Sequence, residues 1–166
     1  GNKELFSKNV SHDTDKLKSF AQTCDQLDYR RNTILGALVD AQITLDNVDA
    51  FVGRGGGLLA VEGGVYKIND ILLHHACTEK NGVHHPASLG SQLAHEFTLK
   101  YGKPSFVVNP PDTDELQDLA RITGVKGIYR NVHLHALNLK ETAIRHAASM
   151  GKKYEECNFV VCHLGG

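Results

Sequence analysis

A short apolar segment, residues 48–52, runs directly into four glycines that surround one arginine at positions 53–57. Because glycine has no side chain, such a strand end lets the backbone approach another group closely. The cluster is not the dinucleotide-binding GxGxxG pattern, since position 58 is leucine, and no Gly-Lys-Ser/Thr follows to complete a P-loop. It is typical either of a bare turn or of an oxyanion site in which Arg54 binds a carboxylate or a phosphate.

Strand-like and helix-like segments alternate along the 166 residues. Apolar patterning predicts strands over residues 4–10, 48–52, 105–108 and 158–162. Capping residues and apolar spacing predict five helices. The first follows Asp13, the second spans 26–41, and the third runs from Pro86 to Gly102. The fourth runs from Asp112 or Thr113 to Gly124, and the fifth spans 138–150. Asp112 and Glu115 have the spacing of a capping box. This alternation predicts an α/β fold whose sheet is largely parallel or mixed and is flanked by helices.

Three polar features follow the predicted strands. Arg54 follows the strand over 48–52, Asn109 follows the strand over 105–108, and the run from His163 to Gly166 follows the last one. In open α/β sheets, ligands bind beyond the carboxyl ends of the strands. We therefore expect these three features to lie close together and to form a ligand site.

The charge balance excludes some classes of protein. Lys and Arg number 18 against 19 Asp and Glu, which gives a formal net charge of -1 and argues against a nucleic-acid binder. No apolar run reaches the roughly 20 residues that span a bilayer, and residues 1–6 do not resemble a secretory leader. Four cysteines without a CxxC pair are typical of reduced thiols. We expect a cytoplasmic protein that does not bind membranes.

Ten histidines raise the question of a metal site. His133 and His135 are two residues apart, which would place both on one side of a strand. The doublets at 74–75 and 84–85 point adjacent side chains apart, and no HExxH motif is present. We expect no dedicated metal site, and a histidine-rich metal binder remains a minor alternative.

Several short motifs, in order along nearly the whole chain, resemble the acetate/butyrate kinase family and its butyrate kinase members in particular. They are Gly53-Arg54-Gly55-Gly56, Gly63-Gly64-x-Tyr66, the run from His85 to Gly90, Asp114-Glu115-Leu116, residues 120–124, His135-Ala136-Leu137-Asn138, residues 151–155, and His163-Leu164-Gly165-Gly166.

The resemblance implies a ribonuclease H-like domain of the actin and sugar kinase type, here incomplete. Residues 1–166 would form part of the N-terminal acyl-substrate domain, with 157–166 as the opening strand and phosphate loop of the second domain. The implied activity is the reversible, ATP-dependent phosphorylation of butyrate or a branched analogue to an acyl phosphate. ATP or ADP, Mg²⁺ and a short-chain carboxylate would be the small-molecule partners, and the family implies a homo-oligomer.

The resemblance also implies roles for single residues. Arg54 would bind the acyl carboxylate and the moving phosphoryl group, with Gly55 and Gly56 in the same substrate loop. His85 would bind substrate, and His135 would steady the phosphoryl group in transit. The residues expected to approach the nucleotide phosphates are His163, Gly165 and Gly166.

Two departures from the family bear on activity. Asn109 would be a third catalytic residue beside Arg54 and His135, but it stands where the family usually has a catalytic aspartate, and an amide cannot take up a proton. The resemblance also implies that the family's N-terminal phosphate hairpin would precede residue 1 and that the remainder of its second domain would follow residue 166. We therefore expect the isolated chain to be inactive, with exposed strand edges that favour a rearranged or swapped oligomer. The alternatives are a non-catalytic interaction or regulatory half-domain and a fragment of a phosphate acyltransferase.

Overall fold

The computed structural model describes residues 3–164, which form an α/β structure with a small mixed sheet flanked by helices. The sheet strands are β1 (Phe51–Gly53), β2 (Val65–Lys67) and β3 (Ser105–Val108). The α-helices are α1 (Thr14–Lys18), α2 (Leu27–Asp40), α3 (Asp70–Cys77), α4 (Leu89–Tyr101) and α5 (Ala136–Ser149). Between residues 3 and 164, no helix is both long enough and apolar enough to cross a bilayer.

Strand β3 lies at the centre of the sheet, which has the order β1-β3-β2. It pairs in parallel with β1, so that Phe51 faces Ser105, and antiparallel with β2, so that Tyr66 faces Val107. The prediction of a mixed sheet is therefore confirmed. The strand predicted over residues 48–52 begins three residues later than expected.

The core lies between the sheet and α4. Phe51, Phe97 and Val107 are buried there together, and the rings of Phe51 and Phe97 lie 5.5 Å apart. Burial of a large apolar side chain contributes about 1.5–3 kcal/mol, so this cluster holds α4 against the sheet. The approach is closest where Gly53 meets Gly90, because a Cβ atom on Gly53 would lie 2.1 Å from the Gly90 carbonyl oxygen.

Most of the predicted helix ends are correct. Asp13 caps α1 by accepting hydrogen bonds from the backbone N–H groups of Asp15 and Lys16. Pro86 opens a 3₁₀ turn (Pro86–Ser88) that leads into α4, which ends at Gly102 in a left-handed conformation with a φ of 69°. The helices predicted over 26–41 and 138–150 correspond to α2 and α5.

The strands predicted over residues 4–10 and 158–162 are wrong. Both segments lack secondary structure, and neither pairs with β1 or β2 at the edges of the sheet. A strand has to exchange backbone hydrogen bonds with a neighbour, and apolar composition alone does not supply one. Val160 accordingly remains 95% exposed.

The helix predicted from Asp112 or Thr113 to Gly124 is also wrong. Asp112 and Thr113 are buried, and Val61 exchanges backbone hydrogen bonds with both sides of Thr113, which fixes this segment in an extended conformation. The Asp112 carboxylate accepts hydrogen bonds from the Leu58 N–H (3.2 Å) and the Asn81 side chain (2.6 Å) instead of capping a helix. A single 3₁₀ turn (Asp118–Arg121) is the helical part of this segment.

Two elements were not predicted from the sequence. Strand β2 has three residues, too few to show an alternating pattern. Helix α3 contains the His74-His75 doublet and begins after Asn69, whose side-chain oxygen accepts a hydrogen bond from the Leu72 N–H. An asparagine followed by an apolar run is a recognisable helix start, so α3 was detectable.

Candidate functional site

Arg54 and Asn109 lie together at one edge of the sheet. Arg54 directly follows β1, and Asn109 directly follows β3. Because these strands are parallel neighbours, their carboxyl ends point the same way. Both residues line one pocket of about 180 Å³.

We call the cavity lined by Arg54 and Asn109 the anion pocket, and His135 lines it as well. It is the residue before α5, and the neighbouring Leu134 N–H donates a 3.0 Å hydrogen bond to the Pro111 carbonyl, which holds the start of the helix close to the end of β3. The His135 Nδ1 atom is buried, and no hydrogen-bond partner for it is found among the described residues. A buried nitrogen of this kind is suited to an incoming ligand.

His163 lies against His135. Their rings meet edge to face with the centroids 4.1 Å apart, which brings the end of the described chain to the pocket. His163 itself is exposed. The predicted phosphate-binding residues Gly165 and Gly166 lie outside the described residues.

The charges around the pocket are mainly positive. Burial lowers the pKa of His135 below its ordinary value, and His163, Arg54, His133 and His85 lower that pKa further as nearby cationic groups. No aspartate or glutamate is among the described residues that line the cavity. Protonation of His135 is therefore unfavourable until an anion enters, so the pocket is suited to a carboxylate or phosphate.

His85 stands just outside the pocket, on an exposed loop, close enough to contribute to the electrostatics at His135. The loop is ordered by Glu79, whose carboxylate accepts hydrogen bonds from the His85 N–H (3.2 Å) and the Ser88 hydroxyl (3.1 Å) and also pairs with His84. The His85 Nδ1 atom accepts a 3.1 Å hydrogen bond from the Ala87 N–H. The ring therefore has its Nε2 atom left for a substrate.

Gly55 and Gly56 are buried in the turn after β1. Both have positive φ angles, 76° and 147°, and a Cβ atom would lie 2.9 Å from Val107 at Gly55 and 3.0 Å from Ala87 at Gly56. Close packing is thus sufficient to explain why these positions are glycine. Direct binding of substrate by Gly55 and Gly56 stays a prediction.

Asn109 has an unusual backbone conformation, with a φ of 40°. Its N–H donates to the Gly64 carbonyl and its side-chain oxygen accepts from the Gly64 N–H, both at 2.9 Å. Asparagine tolerates this left-handed region better than most residues. The side-chain oxygen is therefore engaged in structure, and the amide NH₂ remains as a possible donor toward the pocket.

The sequence analysis did not single out several residues that line the anion pocket: Pro111, Leu134, Ala136, Leu137 and Asn138. Three of them belong to the His-Ala-Leu-Asn motif, whose histidine alone was selected. Their contribution depends on the position of α5 relative to β3, which sequence spacing does not give.

The described residues are better suited to phosphate than to a metal ion. Between residues 3 and 164, no cluster of three or more His, Cys, Asp or Glu side chains could hold a metal. Arg54, His135 and the Asn109 amide are donors to anions, whereas Mg²⁺ requires oxygen ligands. No residue of this part of the chain is therefore assigned to a metal.

The fold and the pocket define an α/β protein with a pocket at the carboxyl edge of its sheet whose lining includes Arg54, Asn109 and His135. No family model matches the sequence. The chain is 44% identical to a probable butyrate kinase from Elusimicrobium minutum over 100% of its own length and 45% of that protein. It is 37% identical to butyrate kinase 1 and 35% identical to butyrate kinase 2 of Clostridium acetobutylicum, each over 99% of the chain and 46% of the relative.

The chain is homologous to butyrate kinases over nearly its whole length, which confirms the resemblance found in its motifs. It spans slightly less than half the length of the curated relatives that it matches.

Proposed function

We propose that the protein containing this chain is a kinase that transfers the γ-phosphoryl group of ATP, reversibly, to butyrate or a branched short-chain carboxylate. The observation that carries the proposal is the meeting of Arg54, Asn109 and His135 in one cationic pocket. The names of the homologous proteins support the same activity. Phosphoryl transfer depends mainly on positioning and on neutralising charge at the equatorial oxygens, and this pocket offers both.

Each pocket residue has a role in this proposal. The Arg54 guanidinium binds the carboxylate and the phosphoryl oxygens with paired N–H donors. His135 donates a hydrogen bond to the phosphoryl group, and a bound anion makes its protonated form favourable. Asn109 donates its amide N–H and does not act as a base, because an amide cannot accept a proton at neutral pH.

Further parts of the proposal concern the whole protein. Residues 1–166 are part of an N-terminal acyl-substrate domain of the ribonuclease H-like type, and 157–166 begin a second domain whose Gly165 and Gly166, with His163, contact the nucleotide phosphates. His85, Gly55 and Gly56 contribute to the substrate loop. Mg²⁺ accompanies the nucleotide, and the protein is a cytoplasmic homo-oligomer.

The isolated chain is proposed to be inactive, because the homologous kinases are about twice its length. A hydroxylamine trap for butyryl phosphate tests this directly. Formation of hydroxamate by the 166-residue chain with ATP and butyrate would contradict the proposal.

The activity itself is tested with the product of the complete gene. We expect butyryl phosphate and ADP to form together, with Arg54→Gln and His135→Gln each reducing kcat/KM at least 100-fold. The matched control is His74→Gln, because His74 is an exposed residue of α3 that does not line the pocket. Unchanged kinetics in the Arg54 variant, with native folding, would refute the assigned site.

A second candidate is a non-catalytic interaction module. It is favoured by a run of apolar side chains, each more than half exposed, in and after the 3₁₀ turn Asp118–Arg121: Leu119, Ile122, Val125, Ile128 and Tyr129. Calorimetry distinguishes the two, since the kinase binds ADP and butyrate. A complete gene product that binds neither would favour the module.

A further inference from the structure

Two cysteines far apart in sequence line the same cleft. Cys24 lies in a 3₁₀ turn (Thr23–Gln26), and Cys77 is the last residue of α3. The cleft has a volume of about 520 Å³ and shares no lining residue with the anion pocket. Both cysteines are lining residues of this cleft, and Cys77 is close enough to act on the pKa of the Cys24 thiol.

The surrounding residues position each cysteine. The Cys24 thiol donates to the Gln22 side-chain oxygen at 3.6 Å, which orients the sulfur within the turn. Thr23, next to Cys24, and Glu79, two residues beyond Cys77, line the same cleft, so the turn faces the end of α3 across it. The fold therefore places both cysteines on the wall of one cleft.

The two thiols differ in exposure. Cys77 is exposed, whereas Cys24 is half-buried. Burial raises the pKa of the Cys24 thiol, and the adjacent Cys77 raises it further. The thiolate is the reactive form of cysteine, and the raised pKa of Cys24 disfavours its thiolate. Cys77 is also exposed, so it is the cysteine that an oxidant from solvent should meet first.

We propose that Cys24 and Cys77 form a reversible intramolecular disulfide when the protein meets a peroxide. The Cys77 thiolate attacks one peroxide oxygen, the O–O bond breaks, and a sulfenic acid and water form. The Cys24 sulfur then attacks the sulfenic sulfur, an S–S bond replaces the S–O bond, and a second water leaves. Overall the two thiols lose two hydrogens and two electrons, and hydrogen peroxide is reduced to two waters.

The disulfide would connect the segment before α2 to the end of α3. Residues 78–85, which lead to His85, start immediately after this link. A covalent link between distant residues restricts the unfolded chain, so oxidation should raise the midpoint of thermal unfolding. A thiol reductant should reverse the rise.

The chain supplies its own control pair. Cys157 and Cys162 are also free thiols, at some distance along the sequence from Cys24 and Cys77. The Cys157 thiol donates to the Lys153 carbonyl at 3.5 Å, and Cys162 is exposed. If exposure alone decided oxidation, Cys162 would react as readily as Cys77.

The test treats the reduced 166-residue chain with hydrogen peroxide and counts thiols with Ellman's reagent under denaturing conditions. We expect the four reactive thiols to become two, with one Cys24–Cys77 peptide in the non-reduced peptide map. Cys24→Ser and Cys77→Ser should each abolish that peptide and the rise in the unfolding midpoint. The double variant Cys157→Ser/Cys162→Ser should keep both.

Retention of four thiols would overturn the proposal, as would a bond to Cys157 or Cys162 or a bond between two chains. If Cys24→Ser fails to fold, Cys77→Ser decides alone, because its side chain is exposed. Reduction with dithiothreitol should restore four thiols, and a failure to do so would refute reversibility.

Discussion

Asn109 and Gly64 are joined by two hydrogen bonds of 2.9 Å, one from each N–H group. This pair links the end of β3 to the residue before β2, on the strand side of the anion pocket. The Asn109 side chain thus connects the ends of two neighbouring strands and also lines the pocket. Its left-handed backbone, with a φ of 40°, makes the position sensitive to substitution.

We expect Asn109→Ala to lower the free energy of unfolding by about 1–3 kcal/mol, since it leaves the Gly64 N–H without its acceptor. Asn109→Asp keeps an acceptor oxygen and should change that free energy by no more than about 0.5 kcal/mol. Urea denaturation followed by circular dichroism measures both variants. Equal losses in the two would show that the side-chain hydrogen bond is unimportant.

The convergence of Arg54 and Asn109 was predictable from the sequence. It required only that two strands be parallel neighbours, because parallel strands end at one edge. The helices were predictable for a similar local reason: Asp13 and Gly102 determine ends through contacts within a few residues.

The environment of Asp112 was not predictable in that way. Its spacing to Glu115 matched a capping box, but Asp112 instead accepts hydrogen bonds from Leu58 and Asn81, far away in sequence. Glu115 pairs with Lys140 of α5. A local pattern does not reveal such distant partners, and the helix was therefore predicted wrongly.

Gly53 should not tolerate a side chain. A Cβ atom there would lie 2.1 Å from the backbone oxygen of Gly90, and two packed backbone segments cannot separate without disturbing α4 and β1. We expect Gly53→Ala to lower the free energy of unfolding by about 1–3 kcal/mol.

The control for that change is Gly36→Ala in the middle of α2, where a Cβ atom meets nothing within 4 Å. Alanine favours helix over glycine, so this variant should gain about 0.5–1 kcal/mol. Thermal unfolding of the two variants should therefore shift in opposite directions. A Gly53→Ala protein as stable as the parent would disprove the close contact.

Glu79 should make the protein sensitive to acid. Burial raises the pKa of its carboxyl, but hydrogen bonds from His84, Thr23, His85 and Ser88 outweigh burial and lower that pKa overall. The folded state therefore binds the proton more weakly than the unfolded chain does. The stabilisation is complete above the ordinary glutamate pKa and is lost as the pH falls through the folded value.

Glu79→Gln should accordingly lower the free energy of unfolding at pH 7 by about 1–3 kcal/mol, because hydrogen bonds to a charged acceptor are lost. Its difference from the parent should shrink as the pH is lowered below about 4. Glu155→Gln serves as the control, since the Glu155 side chain is exposed. A difference independent of pH would mean that the charge of Glu79 plays no part.

The pKa of His135 should respond to anions. In the free protein, burial and the neighbouring cations keep it below the ordinary value of about 6.5. Phosphate in the pocket would favour the imidazolium form, so the pKa should rise on binding. Phosphate affinity should correspondingly increase as the pH falls through the range between the free and the bound values.

Nuclear magnetic resonance titration of the histidine ring carbons, with His135→Gln used to assign the signal, measures this pKa with and without phosphate. Chloride at the same ionic strength controls for screening. The ring signals of His74, which is exposed on α3 and does not line the pocket, serve as an internal control. If phosphate and chloride leave His135 with the same pKa, the pocket does not bind phosphate beside that ring.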